Sequence, residues 1–123
     1  MNLKLTTQLD CSTATAWNYV LQPDLLHYIA HPIIKFEPVT PSSFPERWSH
    51  GDYLSRLELF GLIPLGEQTI GIRLNPTRQQ ENTHYELLDD GHSQLIPKWR
   101  HLIRVERDGN EQTLYTDELE LQA

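Results

Sequence analysis

The chain is 123 residues long, enough for one domain whose core folds without covalent staples. Ten Lys and Arg against 17 Asp and Glu leave a formal charge of −7, which excludes the clustered basic surface that nucleic acid and anionic membrane require. The single Cys11 rules out an internal disulfide or a thiolate metal centre and suits a small apolar packing role in a reducing compartment. No 18 apolar residues run together, and the start has no basic stretch leading into an apolar one. The expectation is therefore one domain, 1–123, in a soluble cytoplasmic protein without membrane insertion.

In chain order, "NLKLTTQL" alternates Leu3, Leu5, Thr7 and Leu9 against polar neighbours, the period of a half-buried strand. The period then changes. Ser12 is a suitable N-cap, and Trp17, Val20 and Leu21 fall at the spacing of one helical face. Pro23 ends that helix and suits the first turn of a second, "PDLLHYIA", which buries Leu25, Leu26 and Ile29.

From residue 33 onward strands dominate. "IIKFEPV" sets Ile34 and Phe36 against Lys35 and Glu37, and "PSSFPE" is a loop. "GDYLSRLELFG" places Tyr53, Ser55, Leu57 and Leu59 on one face, and "LIPLGE" reads as the turn into "QTIGIRL", where Gln68, Ile70, Ile72 and Leu74 share a face. "HYELLDDG" pairs Tyr85 with Leu87 and ends in a turn at Asp90–Gly91. "RDGN", 107–110, is a hairpin turn between two strands, the first with Trp99, His101, Ile103 and Val105 on one face and the second with Tyr115, Asp117, Leu119 and Leu121 on one face. Consecutive strands joined by short turns must be mostly antiparallel. The predicted class is α+β: a curved, mostly antiparallel seven-stranded sheet with two short helices after the first strand, wet on one side and covered on the other.

This order of elements over the whole chain resembles the START-like, helix-grip superfamily, which includes polyketide cyclases and lipid-transfer proteins. Three stretches carry the resemblance. "STATAWNYVLQPDLL" is similar to the family's helix pair, "GDYLSRLELFGLIPL" to the G-x-Y-x-x-R-L…G-I-P hairpin of its cyclase-like branch, and "KWRHLIRVERDGNEQTLYTDELEL" to that branch's W-x-H strand and following T-D strand. The resemblance implies a cavity between sheet and helices that holds a small hydrophobic or amphipathic ligand, and, in some members, cyclisation or dehydration within it. One departure stands out: family members end in a long helix that roofs the cavity, and here the sequence stops just after the last strand. An open apolar sheet face exceeds what a soluble monomer exposes, so the expectation is a truncated chain or a second copy covering that face as a homodimer.

The polar and aromatic residues on the inward faces are Thr7, Tyr53, Ser55, Gln68, Tyr85, Trp99, His101, Tyr115 and Asp117, an apolar wall with a few convergent polar groups. A tyrosine there can equally be a core residue whose hydroxyl reaches a backbone partner. A buried carboxylate needs a partner. If the register follows the RDGN turn, Asp117 meets His101 and fixes its tautomer; a bulge would instead turn Asp117 outward to Lys or Arg. His101 and Asp117 are the catalytic candidates if the protein is a cyclase or dehydratase, acting on a bound carbonyl compound with tyrosine hydroxyls stabilising an enolate. Otherwise the cavity only binds, or the open face serves an oligomeric interaction module without ligand.

His27 and His31 have the i, i+4 spacing of one zinc face, but HExxH is incomplete and Pro32 ends the helix, so no metal is expected. Trp48 and His50 fall on outward parity and are expected to pack at the surface. With no G-x-S-x-G, cysteine nucleophile signature or Gly-rich phosphate loop, no cofactor is expected either.

Overall fold

The computed structural model describes residues 2–25, 34–74, 84–94, 97–109 and 111–122. The second predicted helix is seen only at residues 23–25; its remaining positions, together with His27 and His31, lie outside the described residues. The elements are β1 (Asn2–Leu9), α1 (Thr13–Val20), β2 (Ile34–Thr40), β3 (Gly51–Leu59), β4 (Ile63–Leu74), β5 (His84–Asp89), β6 (His92–Ser93), β7 (Lys98–Arg107) and β8 (Thr113–Gln122). They form one sheet in the order β1-β8-β7-β5-β4-β3-β2, with β6 also paired to β4. Every pairing is antiparallel, and β1 and β2 are the two edges of an open sheet. Among the described residues the strand count is eight, one more than the sequence pattern indicates, because the two-residue β6 is too short to show a period.

Ser12 caps α1, its Oγ accepting from the Thr15 N–H at 3.2 Å. Ala16, Trp17, Val20 and Leu21 are buried against the sheet, where Trp17 stacks on Tyr85 with ring centroids 5.1 Å apart. Together with Ile70, Ile72, Tyr53, Leu87, Ile103 and Val105 they make the core, and Cys11 and Leu9 pack at its margin. Trp48 belongs to this core. The outward parity assigned to it fails because residues 44–50 are not a strand, so a period of two has no meaning there. Instead the Trp48 N–H donates to the Leu21 carbonyl at 2.6 Å, clipping the loop to the end of α1, and the indole packs edge-on to Phe44 and Tyr53.

The β3–β4 hairpin also differs from the reading that puts its turn at Leu62–Glu67. The chain reverses at Phe60 and Gly61, both at positive φ (53° and 68°), with the Leu62 N–H donating to the Leu59 carbonyl at 3.0 Å; this two-residue turn matches the right-handed twist of a hairpin. Gly66, at φ 92°, instead sits where the register shifts opposite Leu57 and Glu58.

At the other end of β4 the chain is pinched. A Cβ on Gly91 would lie 2.1 Å from the Thr69 carbonyl oxygen, and one on Gly71 would lie 2.8 Å from that of Asp90. Both glycines are there because two backbones cross in contact. Gly91→Ala must push the strands apart, and a loss of at least about 2 kcal/mol of unfolding free energy is expected from urea denaturation.

Candidate functional site

Registers carry one set of alternate residues through the sheet. Leu5 lies opposite Asp117, Tyr115 opposite Val105, Ile103 opposite Asp117 and Leu87, His101 opposite Asp89, Asp89 opposite Ile72, Ile70 opposite Tyr53, and Gln68 opposite Ser55. The eight residues of that inward set from Tyr53 to Asp117, and Thr7 with them, therefore fall on the α1 side of the sheet. They do not form one cluster.

Four of them are engaged elsewhere. Ser55 is fully buried, its hydroxyl donating to the Gln68 carbonyl at 3.1 Å, and the Gln68 side chain is buried as well. The Tyr53 hydroxyl bonds to Ser49, side chain and carbonyl, at 3.0 and 3.1 Å. Tyr85 is a core residue under Trp17. Thr7 is exposed on β1, as are Leu3 and Leu5 (56% and 61% of their surface).

The other four converge. His101 Nε2 is hydrogen bonded to Asp117 Oδ1, and the Tyr115 hydroxyl donates to Asp117 Oδ2 at 3.1 Å. A carboxylate only accepts, so the imidazole carries a proton on Nε2. Burial first, then the Asp117 charge, push the Tyr115 hydroxyl far above its ordinary range and keep it a donor. Trp99 stands edge-on to His101, centroids 6.4 Å apart, and its Nε1–H donates at 3.1 Å to a residue that the sequence reading did not single out, Asp89.

Asp89 is only 8% exposed. Its Oδ1 accepts the Gly71 N–H at 2.9 Å while the Asp90 N–H donates to the Gly71 carbonyl at 2.8 Å. Ladder registers on either side, Ile72 with Asp89 and Thr69 with His92, place Gly71 opposite residue 90. The carboxylate therefore takes the N–H that a peptide carbonyl would hold in an unbroken ladder. Burial lifts the Asp89 carboxyl from its ordinary 3.8 to about 6, against the lowering by the Gly71 N–H, the His101 ring and the Trp99 N–H. The signal for it was present: one further step of two from Tyr85 and Leu87 lands on Asp89, but "DDG" reads as a turn.

Asp89, His101 and Asp117 form the polar end of a cavity whose other walls are Val20, Gln22, Leu25, Trp48, Ile70, Ile72, Leu87 and Ile103. The cavity proper is small, about 60 Å³, and opens to solvent. Helix α1 and the residues after it, the clipped loop and four strands supply these walls.

No protein-family model matches the chain, and no curated protein does. Solved structures do match. Norcoclaurine synthase from Thalictrum flavum superposes with a TM-score of 0.62 at 11% identity, over 98% of this chain and 68% of that one. A START superfamily protein from Mycobacterium smegmatis gives 0.52 at 16%, over 98% and 76%. The fold is START-like, of the helix-grip type. An aromatase/cyclase from Streptomyces sp. R1128 gives 0.52 at 18%, over all of this chain and 69% of that one. At such identities the START-like likeness is one of backbone path.

The Asp89 carboxyl makes stability depend on pH in a defined direction. Below the ordinary value of 3.8 both folded and unfolded chains hold the proton; as pH rises toward about 6 the unfolded chain loses it first, and the folded state is penalised. A difference of this size corresponds to about 3 kcal/mol. Asp89→Asn keeps an acceptor for Gly71 and removes the charge, so its unfolding free energy should gain on the parent by about that amount between pH 4 and pH 7. Urea titrations at fixed pH measure it. An amide NH₂ facing Trp99 Nε1 adds only a constant offset, and parallel curves would refute the assignment.

Proposed function

We propose that this protein binds a small apolar or amphipathic molecule in the cavity between its sheet and α1. The observation that carries the reading is the composition of that cavity: aliphatic and indole walls with its ionisable groups, Asp89, His101 and Asp117, gathered at one end. Such a site removes the body of a guest from water while a few fixed groups hold its polar end. The START-like fold of the matched structures is in keeping with it.

The neutral dye N-phenyl-1-naphthylamine tests the binding reading. Its fluorescence should rise on mixing, and Ile103→Trp, which fills the cavity from β7, should weaken binding at least about tenfold by removing apolar area the dye would cover. Circular dichroism checks that the variant folds. An undiminished affinity would put the dye elsewhere and count against this cavity.

A catalytic reading has its own support in the His101–Asp117 pair. With Nε2–H given to Asp117, a neutral His101 would offer Nδ1 as the base. It would take a proton from the carbon beside a bound carbonyl as that bond's electrons move into the enolate, and return a deuteron in heavy water. Tyr115 and Tyr53 are not placed to stabilise the enolate, since Tyr115 donates to Asp117 and Tyr53 bonds to Ser49; below about pH 6 the Asp89 carboxyl, protonated, would be the donor at hand. NMR of 2-decanone in D₂O should reveal α-hydrogen exchange faster than in buffer, cut about 10²-fold or more in His101→Gln. Exchange at the buffer rate overturns the catalytic reading and leaves binding intact.

A further inference from the structure

We propose that the polar end of the cavity selects guests that carry a protonated amine. This inference rests on the binding reading above and concerns the chemistry of what is bound. It follows from counting donors and acceptors. Two carboxylates, Asp89 and Asp117, face the same space with one imidazole between them, and no Lys or Arg lines the cavity among the described residues. Each carboxylate has room for about four hydrogen bonds. Asp89 uses two of these on Gly71 and Trp99, and Asp117 uses two on His101 and Tyr115. The remaining capacity of the two carboxylates is acceptor capacity, and Gln22 is the one uncharged amide side chain lining the cavity among the described residues.

A guest must therefore arrive with donors. A carboxylate or phosphate headgroup brings only acceptors and a repelling charge, whereas a hydroxyl brings one donor and no charge. An alkylammonium brings three donors and a positive charge into a site whose walls exclude water, where opposite charges attract most strongly. Trp48, on the same cavity wall, adds an aromatic face suited to a cation. The aliphatic walls contributed by Ile70, Ile72 and Leu87 then take the rest of the molecule.

The charges around Asp89 fix how this preference responds to pH. Asp90 follows it on the chain, His101 faces it from β7, and Asp117 lies beyond on β8; from β4 it meets uncharged Gly71 and Ile72, with Arg73 turned to Asp52. Any proton added to this cluster on acidification works against a bound cation. The ionised form of Asp89 attracts an ammonium and the protonated form does not, so amine affinity should climb as pH rises through about 6.

Isothermal titration calorimetry with octylamine, 1-octanol and octanoate tests the selection, since the three share a chain and differ in headgroup. At pH 8 octylamine should bind at least about tenfold more tightly than octanol, with octanoate the weakest, a gap of about 1.4 kcal/mol or more. At pH 5 the gap between amine and alcohol should shrink several-fold in the unmodified protein, a comparison needing no variant. Asp89→Asn should weaken octylamine binding at pH 8 several-fold more than octanol binding, narrowing the preference and its pH dependence. Equal binding of octylamine and octanol, or tightest binding of octanoate, overturns the amine selection and leaves the cavity reading standing. If none of the three binds, both fall.

Discussion

The site depends on one hydrogen bond, that from the Gly71 N–H to Asp89 Oδ1. It lets β4 lose its backbone partner at the point where β5 breaks before β6, without leaving a buried N–H unpaired. An unpaired donor there would cost more than the net worth of most hydrogen bonds. The same bond fixes where the carboxylate points, and Trp99 holds its second oxygen. His101, directly across on β7, and Asp117 on β8 then complete a row of ionisable groups along the sheet. Sheet register supplies the order of that row. The strand break allows its first member to be an acid.

Much of the architecture could be read from the sequence. Alternation in β3, β4, β7 and β8 identifies their two faces, and Ser12 with Trp17, Val20 and Leu21 identifies α1, because each depends on interactions within a few residues or on one buried face; β1 alternates too, but its expected inward face is exposed. The reading failed where local chemistry was ambiguous. Phe60 occupies a left-handed turn position that usually goes to Gly or Asn, so the sequence points to a turn at 62–67, which instead holds the bulge between Pro64 and Gly66. Trp48 was assigned a strand parity although its placement comes from a long-range bond to Leu21.

The site was legible in half. Meeting of His101 and Asp117 follows from a hairpin register that the RDGN stretch announces, and Tyr115 and Trp99 come with them. Tyr53, Ser55, Gln68 and Tyr85 share the face but not the cavity. Whether a polar residue on an inward face is spent on a neighbour or left to a guest depends on distances across strands, which parity does not carry. Asp89 is the clearest case, since turn chemistry and strand alternation both claim it, and the structure uses it for both.

That double use has an evolutionary consequence. A residue at 89 has to present an acceptor at the place of a missing peptide oxygen, so the choices are few, and each changes the charge at the base of the cavity together with the seam between β4 and β5. On the proposed binding reading, specificity and backbone integrity are tied together at this position. A change in what the cavity accepts would then have to proceed through its apolar walls or through His101 and Asp117, where a side chain can be exchanged without unstitching the sheet.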